Sequence, residues 1–395
     1  MKYLAILLFI YNNTLLADEL VPDLKYIKQA GLANAASKIY TADQKFSFSG
    51  FGEINGVHYT ESKNRSGELE SYYTNLYRSG TYFGYKFTDR IIFNSDFQFE
   101  FIHDGVHHSL FEANIEAMID FLIHPKFNLR VGNYPLPIGY VNINEEPIAF
   151  YTVNRPEVER LIIPSQWVEP GVMFYGNLSE HWEYSLGITK GLDAQEFRES
   201  TWARDGRFMG FDRPANGAFN GQIKYDKENE LAFALSGYTG TAGHHNAQMN
   251  PRLNLVSSYL EWTLGQWQFF TLLTRGSLSQ TEQLYQVSGQ VMGSQVKGHY
   301  SEIRYDINPH TSLNPDWKIP LFIRYERLDT HGQIDPALMN LTTERQDLEI
   351  ITLGVNIRPK RNLVFKGNFQ FRKNHHPNTT LGQANQLEIG FGFIY

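Results

Sequence analysis

Apolar and polar residues alternate one by one along most of this chain. In residues 91–101, Ile91, Phe93, Phe97, Phe99 and Phe101 fall on one side of a two-residue repeat. Ile92, Asn94, Asp96, Gln98 and Glu100 fall on the other. A period of two is the period of a β-strand, which sends successive side chains to opposite faces. The last residues repeat the pattern: Leu387, Ile389, Phe391, Phe393 and Tyr395 are large and apolar, with Glu388, two glycines and Ile394 between them. Strands of this type are predicted at 46–59 and near 75–88, 91–101, 112–123, 127–133, 168–177, 181–190 and 218–225. They continue near 229–239, 253–263, 266–277, 296–307, 319–328, 348–358, 362–373 and 384–395, about sixteen in all. The greasy face must be buried inward under a second sheet, as in a soluble sandwich, or turned outward into lipid, as in a closed barrel.

The connections decide between these. Short ones fall at 88–90, 124–126, 178–180, 226–228, 264–265 and 359–361, and long ones at 60–74, 134–167, 191–217, 240–252, 278–295, 329–347 and 374–383. The two kinds alternate, with a middling link at 308–318 in a short slot and a modest one at 102–111 in a long slot. Up-and-down membrane barrels keep this asymmetry, with tight turns on the periplasmic side and longer loops outside. Most segments reach ten residues, enough to cross the apolar layer at a tilt, whereas strands of soluble domains average about five or six. The expected fold is therefore all-β, an antiparallel transmembrane β-barrel over 46–395. An even strand count lets both ends of the barrel lie on the periplasmic side. A terminal aromatic after alternating apolar residues also fits the insertion signal that outer-membrane barrels generally carry.

The first residues read as export machinery. Lys2 supplies a positive start, residues 4–10 an apolar run, and Ala17 a small residue before cleavage, which makes 1–17 a signal peptide. Residues 18–45 read as an N-terminal periplasmic helical segment: Pro22 and Asp23 can open a helix, and Leu24, Ile27, Leu32 and Ile39 are loosely helix-spaced. It serves either as a linker ahead of the barrel or as a plug in its pore. Among 395 residues there is no cysteine, so no disulfide framework or thiolate metal site is available. Tyrosine, phenylalanine and tryptophan number 23, 28 and 6, and mean hydropathy is nonetheless negative, as suits a sheet wetted on one side and greased on the other. A formal charge of −7 speaks against nonspecific nucleic-acid binding. Beyond the N-terminus no apolar tract reaches transmembrane-helix length. Together these features place the chain in the outer membrane of a Gram-negative bacterium.

Several stretches carry a family likeness. They are Phe83-Gly84-Tyr85-Lys86-Phe87-Thr88-Asp89-Arg90, Arg130-Val131-Gly132-Asn133-Tyr134-Pro135-Leu136-Pro137-Ile138-Gly139, Arg155-Pro156-Glu157-Val158-Glu159-Arg160, then Pro164, Trp167, Glu169, Gly171 and Gly191-Leu192-Asp193. With its terminal aromatic, the chain resembles the phosphate-selective porin O/P-like family from about Phe46 to Tyr395. The resemblance implies a sixteen-stranded porin, a homotrimer, and a third extracellular loop folded into the lumen. The long link 134–167 is in that position. It departs from the family's basic pore lining: Arg155 and Arg160 stand against Glu145, Glu146, Glu157 and Glu159. An anion preference therefore does not carry over.

A pore selects by width and by the charges at its narrowest point. Glu145, Glu146, Arg155, Glu157, Glu159 and Arg160 are the candidates for the constriction. Alternation turns Asp96, Glu100, Glu116, Asp120, Arg130, Arg324, Lys366 and Arg372 toward the lumen, either as opposed acidic and basic walls or as ordinary salt bridges that stiffen them. The pairs His107-His108, His244-His245 and His375-His376 all fall in long loops; solvation is the plain reading and a shared transition metal the sharper one. No GxSxG, HExxH or EF-hand pattern occurs. The expectation is passive diffusion of small hydrophilic solutes or ions, with membrane lipid around the barrel, no prosthetic group and no catalysis. A barrel-embedded hydrolase is one alternative. A surface receptor or adhesin is another, with Trp202-Ala203-Arg204-Asp205-Gly206-Arg207 as the stretch to inspect.

Overall fold

The computed structural model describes residues 29–60, 73–103, 109–207, 216–243, 249–341, 343–376 and 384–395. The expected signal peptide, the first part of the N-terminal segment and the pairs His107-His108 and His244-His245 lie outside the described residues.

Sixteen strands form in chain order: β1 (Phe46–Tyr59), β2 (Tyr73–Thr88), β3 (Ile91–His103), β4 (Ser109–His124), β5 (Phe127–Pro135), β6 (Val168–Asn177), β7 (Trp182–Lys190) and β8 (Gly217–Lys227). The second half holds β9 (Leu231–Thr241), β10 (Arg252–Leu264), β11 (Trp267–Leu278), β12 (Gln295–Asp306), β13 (Pro320–Gln333), β14 (Asp347–Lys360), β15 (Leu363–Asn374) and β16 (Gln386–Ile394). Each pairs antiparallel with its sequence neighbours, and β1 pairs with β16 to close the barrel. Closure leaves no unpaired edge, the condition for a sheet to survive in lipid. The last residue takes part: Gly50 and Tyr395 exchange backbone hydrogen bonds of 3.0 and 2.9 Å. Gly50 has no side chain for a reason, since a Cβ there would meet the Tyr395 hydroxyl at 2.6 Å.

Alternation sorts the faces as expected. Phe97, Phe99 and Phe101 are 44%, 46% and 41% exposed on the outside, while Asp96, Gln98 and Glu100 between them are buried within. A continuous apolar outer surface on a closed sheet belongs in hydrocarbon. Most turns at one end are tight, and the middling one, between β12 and β13, contains a short 3-10 turn at Asn308–His310.

The interior is filled, and unevenly. Inward positions of β8–β12 are largely apolar: Ala218, Ala234, Tyr238, Leu253, Leu255, Tyr259, Phe270, Leu272 and Tyr300. They pack against Leu136, Ile138, Val158, Leu161, Ile162, Ile163 and Trp167 of the third loop and Phe197 and Trp202 of the fourth. Inward positions of β1–β5 and β13–β16 are mainly polar and charged. The third loop, 136–167, thus stands between an oily half and a polar half.

The N-terminal segment differs from a free linker. Among the described residues it contains only a 3-10 turn at Ala35–Ser37 and the single helical turn α1 (Lys38–Thr41). It lies inside the barrel: Leu32, Ala33, Ala35 and Ala36 pack with Phe51, Tyr82, Met118, Tyr134 and Met173. Short apolar residues, not a long amphipathic helix, let it fit against the wall. Two further helices occur in loops, α2 (Glu157–Leu161) and α3 (Thr281–Ser288).

Candidate functional site

The third loop begins where β5 ends at Pro135 and returns at Val168. Asn142 fastens its neck, donating to the carbonyls of Leu136 and Trp167 at 2.7 and 3.0 Å and accepting from the Trp167 N–H at 2.6 Å. The loop's charged residues then reach the wall at several points.

Glu145 accepts from the Tyr82 hydroxyl at 3.2 Å and from Gln98, and lies 3.8 Å from Arg78. Glu146 accepts from the backbone N–H of Ala35 at 2.6 Å, which joins the loop to the N-terminal segment. Arg155 pairs with Glu100 at 3.3 Å. Glu157 bridges Arg160 at 2.6 Å and Arg372 on β15 at 2.7 Å. Burial alone would raise the Glu157 carboxyl, but Arg160 and Arg372 hold it down to about 2. Glu159 stands apart from both arginines: it accepts from the N–H groups of Tyr140 and Val141, each at 2.7 Å, and from the Tyr300 hydroxyl at 2.5 Å. Burial raises it in spite of those donors. Five of the six expected constriction residues are therefore occupied in holding the loop. Arg160, its side chain 38% exposed, is the one most open to solvent.

The expected wall residues all point inward. Asp120 and Arg130 face each other on β4 and β5 with a 2.8 Å bond. Asp96 and Glu116 are paired across β3 and β4, and their carboxylates gather with that of Glu145 within 4.8 Å. Arg324 binds Glu302, and Lys366 donates to the Thr152 carbonyl at 3.0 Å. Ordinary ion pairs account for part of the wall, with Asp120–Arg130 and Glu302–Arg324 joined across adjacent strands and Arg372 paired with Glu157 of the loop, whereas Asp96 and Glu116 form an acidic group with Glu145. Several of these groups lie beneath the N-terminal segment: Tyr40 donates to Asp120, Arg130 to the Ala30 carbonyl at 3.1 Å, and Asn94 to the Ala36 carbonyl at 2.8 Å.

Sequence reasoning missed the centre of the polar half. Arg78 on β2 is fully buried, 2.9 Å from Glu53 and 3.6 Å from Glu100. Its signal was available, since it occupies an inward place in the alternation. Arg204 and Arg207 of the fourth loop were singled out only for the receptor alternative, and their place beside the third loop was not foreseen. Arg207 donates to the carbonyls of Ser165 and Gln166. The Arg204 side chain has no hydrogen-bond or ion-pair partner among the described residues, its Nε being buried without one; burial, Arg207 and Arg160 together push it down to about 10. Glu112 of β4 faces this group. Trp202, in the stretch to inspect under the receptor alternative, is wholly buried and donates to the Gly293 carbonyl at 3.1 Å. It anchors the loop and is not on display. His375 bonds Glu349 at 2.7 Å, and the buried His376 Nδ1 has no hydrogen-bond partner among the described residues. Below the third loop, Tyr140, Lys224, Asp226, Glu230, Glu261 and Gln268 line a polar cleft of about 180 Å³ toward the turn end of β8–β11.

Residues 89–395 match the family described as "Putative beta-barrel porin-2, OmpL-like". A protein of Aquifex aeolicus, described as "Uncharacterized protein", is 28% identical over 366 residues, covering 89% of this chain and 81% of its own. Salmonella typhi OmpF, solved in complex with daunomycin, superposes with a TM-score of 0.56 at 9% identity, over 89% of this chain and 97% of that one. The anion-selective porin from Comamonas acidovorans gives 0.55 at 12% identity, over 89% and 99%. Those identities speak for the barrel alone. The matched family is a porin family other than the phosphate-selective one that the motifs resemble. With that match running through β3–β16, the chain belongs to the beta-barrel porin-2, OmpL-like family and is a porin channel of the Gram-negative outer membrane.

Proposed function

We propose that small hydrophilic solutes or ions diffuse passively through a narrow path beside the third loop. One observation carries this reading: residues 136–167 cross the interior and are tied to walls on several sides, Arg155 to Glu100, Glu157 to Arg372 and Glu159 to Tyr300. Glu145, Glu146, Arg155, Glu157, Glu159 and Arg160 set the constriction in this reading, most of them by fixing the loop. The path runs from the mouth at Glu112, Arg160, Arg204 and Arg207 to the polar cleft at Lys224 and Glu261.

The charge a solute meets differs from the charge the loop contains. Its glutamates are spent on fixed partners, whereas Arg160, Arg204 and Arg207 are half-exposed or freer of carboxylates. Rings of like charge favour the opposite ion, so we read the pore as weakly anion-preferring. The finer kinship with phosphate-selective porins rests on the quoted motifs and is tested by whether phosphate blocks chloride current. Residues 1–17 are read as a removed signal, 18–45 as a segment that narrows the periplasmic end, and the assembly as a homotrimer. We read the chain as a conduit without catalytic activity.

Planar-bilayer recording in a salt gradient tests this. Stable ohmic steps with an anion-directed reversal potential are expected, moving toward cations in R160Q/R204Q. Silence together with hydrolysis of a lipid or peptide substrate would point to an enzyme; silence together with loop-dependent ligand binding would point to a receptor.

A further inference from the structure

We propose that the outer face of β10–β13, at the loop end of the barrel, binds the phosphorylated headgroup of an outer-leaflet glycolipid. Elsewhere this face is mainly apolar with a few hydroxyls, but here it carries Arg275, Lys297, His299 and Arg327 on three adjacent strands. Arg275 lies directly opposite Lys297 between β11 and β12, and His299 opposite Arg327 between β12 and β13. Like charges directly opposite weaken a sheet unless something neutralises them. Arg327 has Asp347 for that purpose. Lys297 also lies opposite Asp329 on β13, but that carboxylate is held by Arg345 at 2.7 Å, and the exposed Arg275 and Lys297 have no side-chain partner of their own among the described residues.

Their position matches a headgroup. Arg275 is eight residues above Trp267 in β11. At about 3.3 Å per residue and a tilt of about 40°, that is roughly 20 Å of height. The apolar band of such barrels is about 25 Å tall. The two cations thus stand near its outer edge, where lipid phosphates begin. A groove of about 910 Å³ runs past them, lined also by Val256 and Leu273, which are 53% and 55% exposed. A phosphate ester on Arg275 and Lys297 would lay an acyl chain along that apolar floor. Arginine offers a forked pair of donors and lysine a compact charge, and both suit a phosphate dianion.

The test is native mass spectrometry of the full chain in detergent, titrated with bis-phosphorylated lipid A or with its dephosphorylated form. The wild-type chain should hold the phosphorylated lipid at least tenfold more tightly. R275Q/K297Q should lose that preference, whereas K360Q/R361Q, at the opposite rim, should keep it. Equal binding of both lipids by the wild-type chain overturns the proposal whether or not the variant folds. So does unaltered binding by a variant that still shifts on heating in detergent gels. Loss of assembly with lipid binding unchanged would make this face a junction between copies, and that also overturns it.

Discussion

Arg78 shows how a single residue governs the polar half. Its guanidinium serves Glu53, Glu100 and Glu145 together and donates to the Glu145 carbonyl at 2.5 Å. Removing one partner of a buried ion cluster leaves the others as uncompensated charge, which costs about 3–5 kcal/mol. Arg78→Ala is therefore expected to lower the denaturant midpoint in detergent and, by freeing Glu145, to make single-channel current noisy. An unchanged midpoint would remove Arg78 from this role. Glu157 provides a pH handle. Its carboxyl sits at about 2 in the fold against an ordinary value of 4.5. A depressed folded value means that its contribution is complete above about 4.5 and is lost as pH falls through about 2. The tie from Glu157 to Arg372 should therefore hold from neutral pH to about 4 and loosen only below that, after the raised Glu159 has already taken up its proton. Glu157→Gln should show the loosened behaviour already at pH 7, which recordings across the pH range would reveal.

At the scale of elements, the N-terminal segment is the part with the most to lose from a small change. Ile39 nests where β2 has Gly84, at which a Cβ would come within 2.4 Å of the isoleucine Cβ. Gly84→Val should expel α1 from the wall while leaving the ladder of β1 and β2 intact. The expected result is a larger single-channel conductance with normal heat-modifiability; an unchanged conductance would mean that the segment does not narrow the path. The strands themselves were legible in the sequence to within a few residues, β13 running furthest past its expected end, because lipid outside and polar groups inside impose a strict period of two. What the period could not give was the content of the lumen. In β10 and β11 the alternation fails, as Leu255-Val256, Phe269-Phe270 and Leu272-Leu273 put apolar groups on both faces. Such a lapse means that the inner face is covered too, and the cover is visible in the run Leu161-Ile162-Ile163 of the third loop. The fate of the glutamates was not legible, since the counterions Arg372 and Arg78 come from strands far away in sequence. Helix α3 was hidden for another reason: its stop is Gly289, at φ of 70°, within a loop that otherwise lacks a periodic pattern.

For the whole molecule, the two filled halves fix the electrical behaviour. A sixteen-stranded wall could enclose a wide aqueous channel, yet here the third loop, the N-terminal segment and the oily cluster take up much of that space. On the proposed reading, flow is confined to a thin polar seam whose ions never move far from charged side chains. Electrostatic influence reaches about 10 Å at 0.1 M salt and about 30 Å at 0.01 M. In dilute salt the arginines at the mouth therefore act on the whole width of such a seam, concentrating anions there above the bulk. Conductance should fall less steeply than salt concentration below about 0.1 M, the range where that reach exceeds the seam. R160Q/R204Q/R207Q should restore proportionality without changing conductance at 1 M, where screening already hides these charges. Proportional conductance in the wild-type chain at every concentration would mean that the seam is wide, and that the third loop leaves more of the lumen to water than its contacts imply.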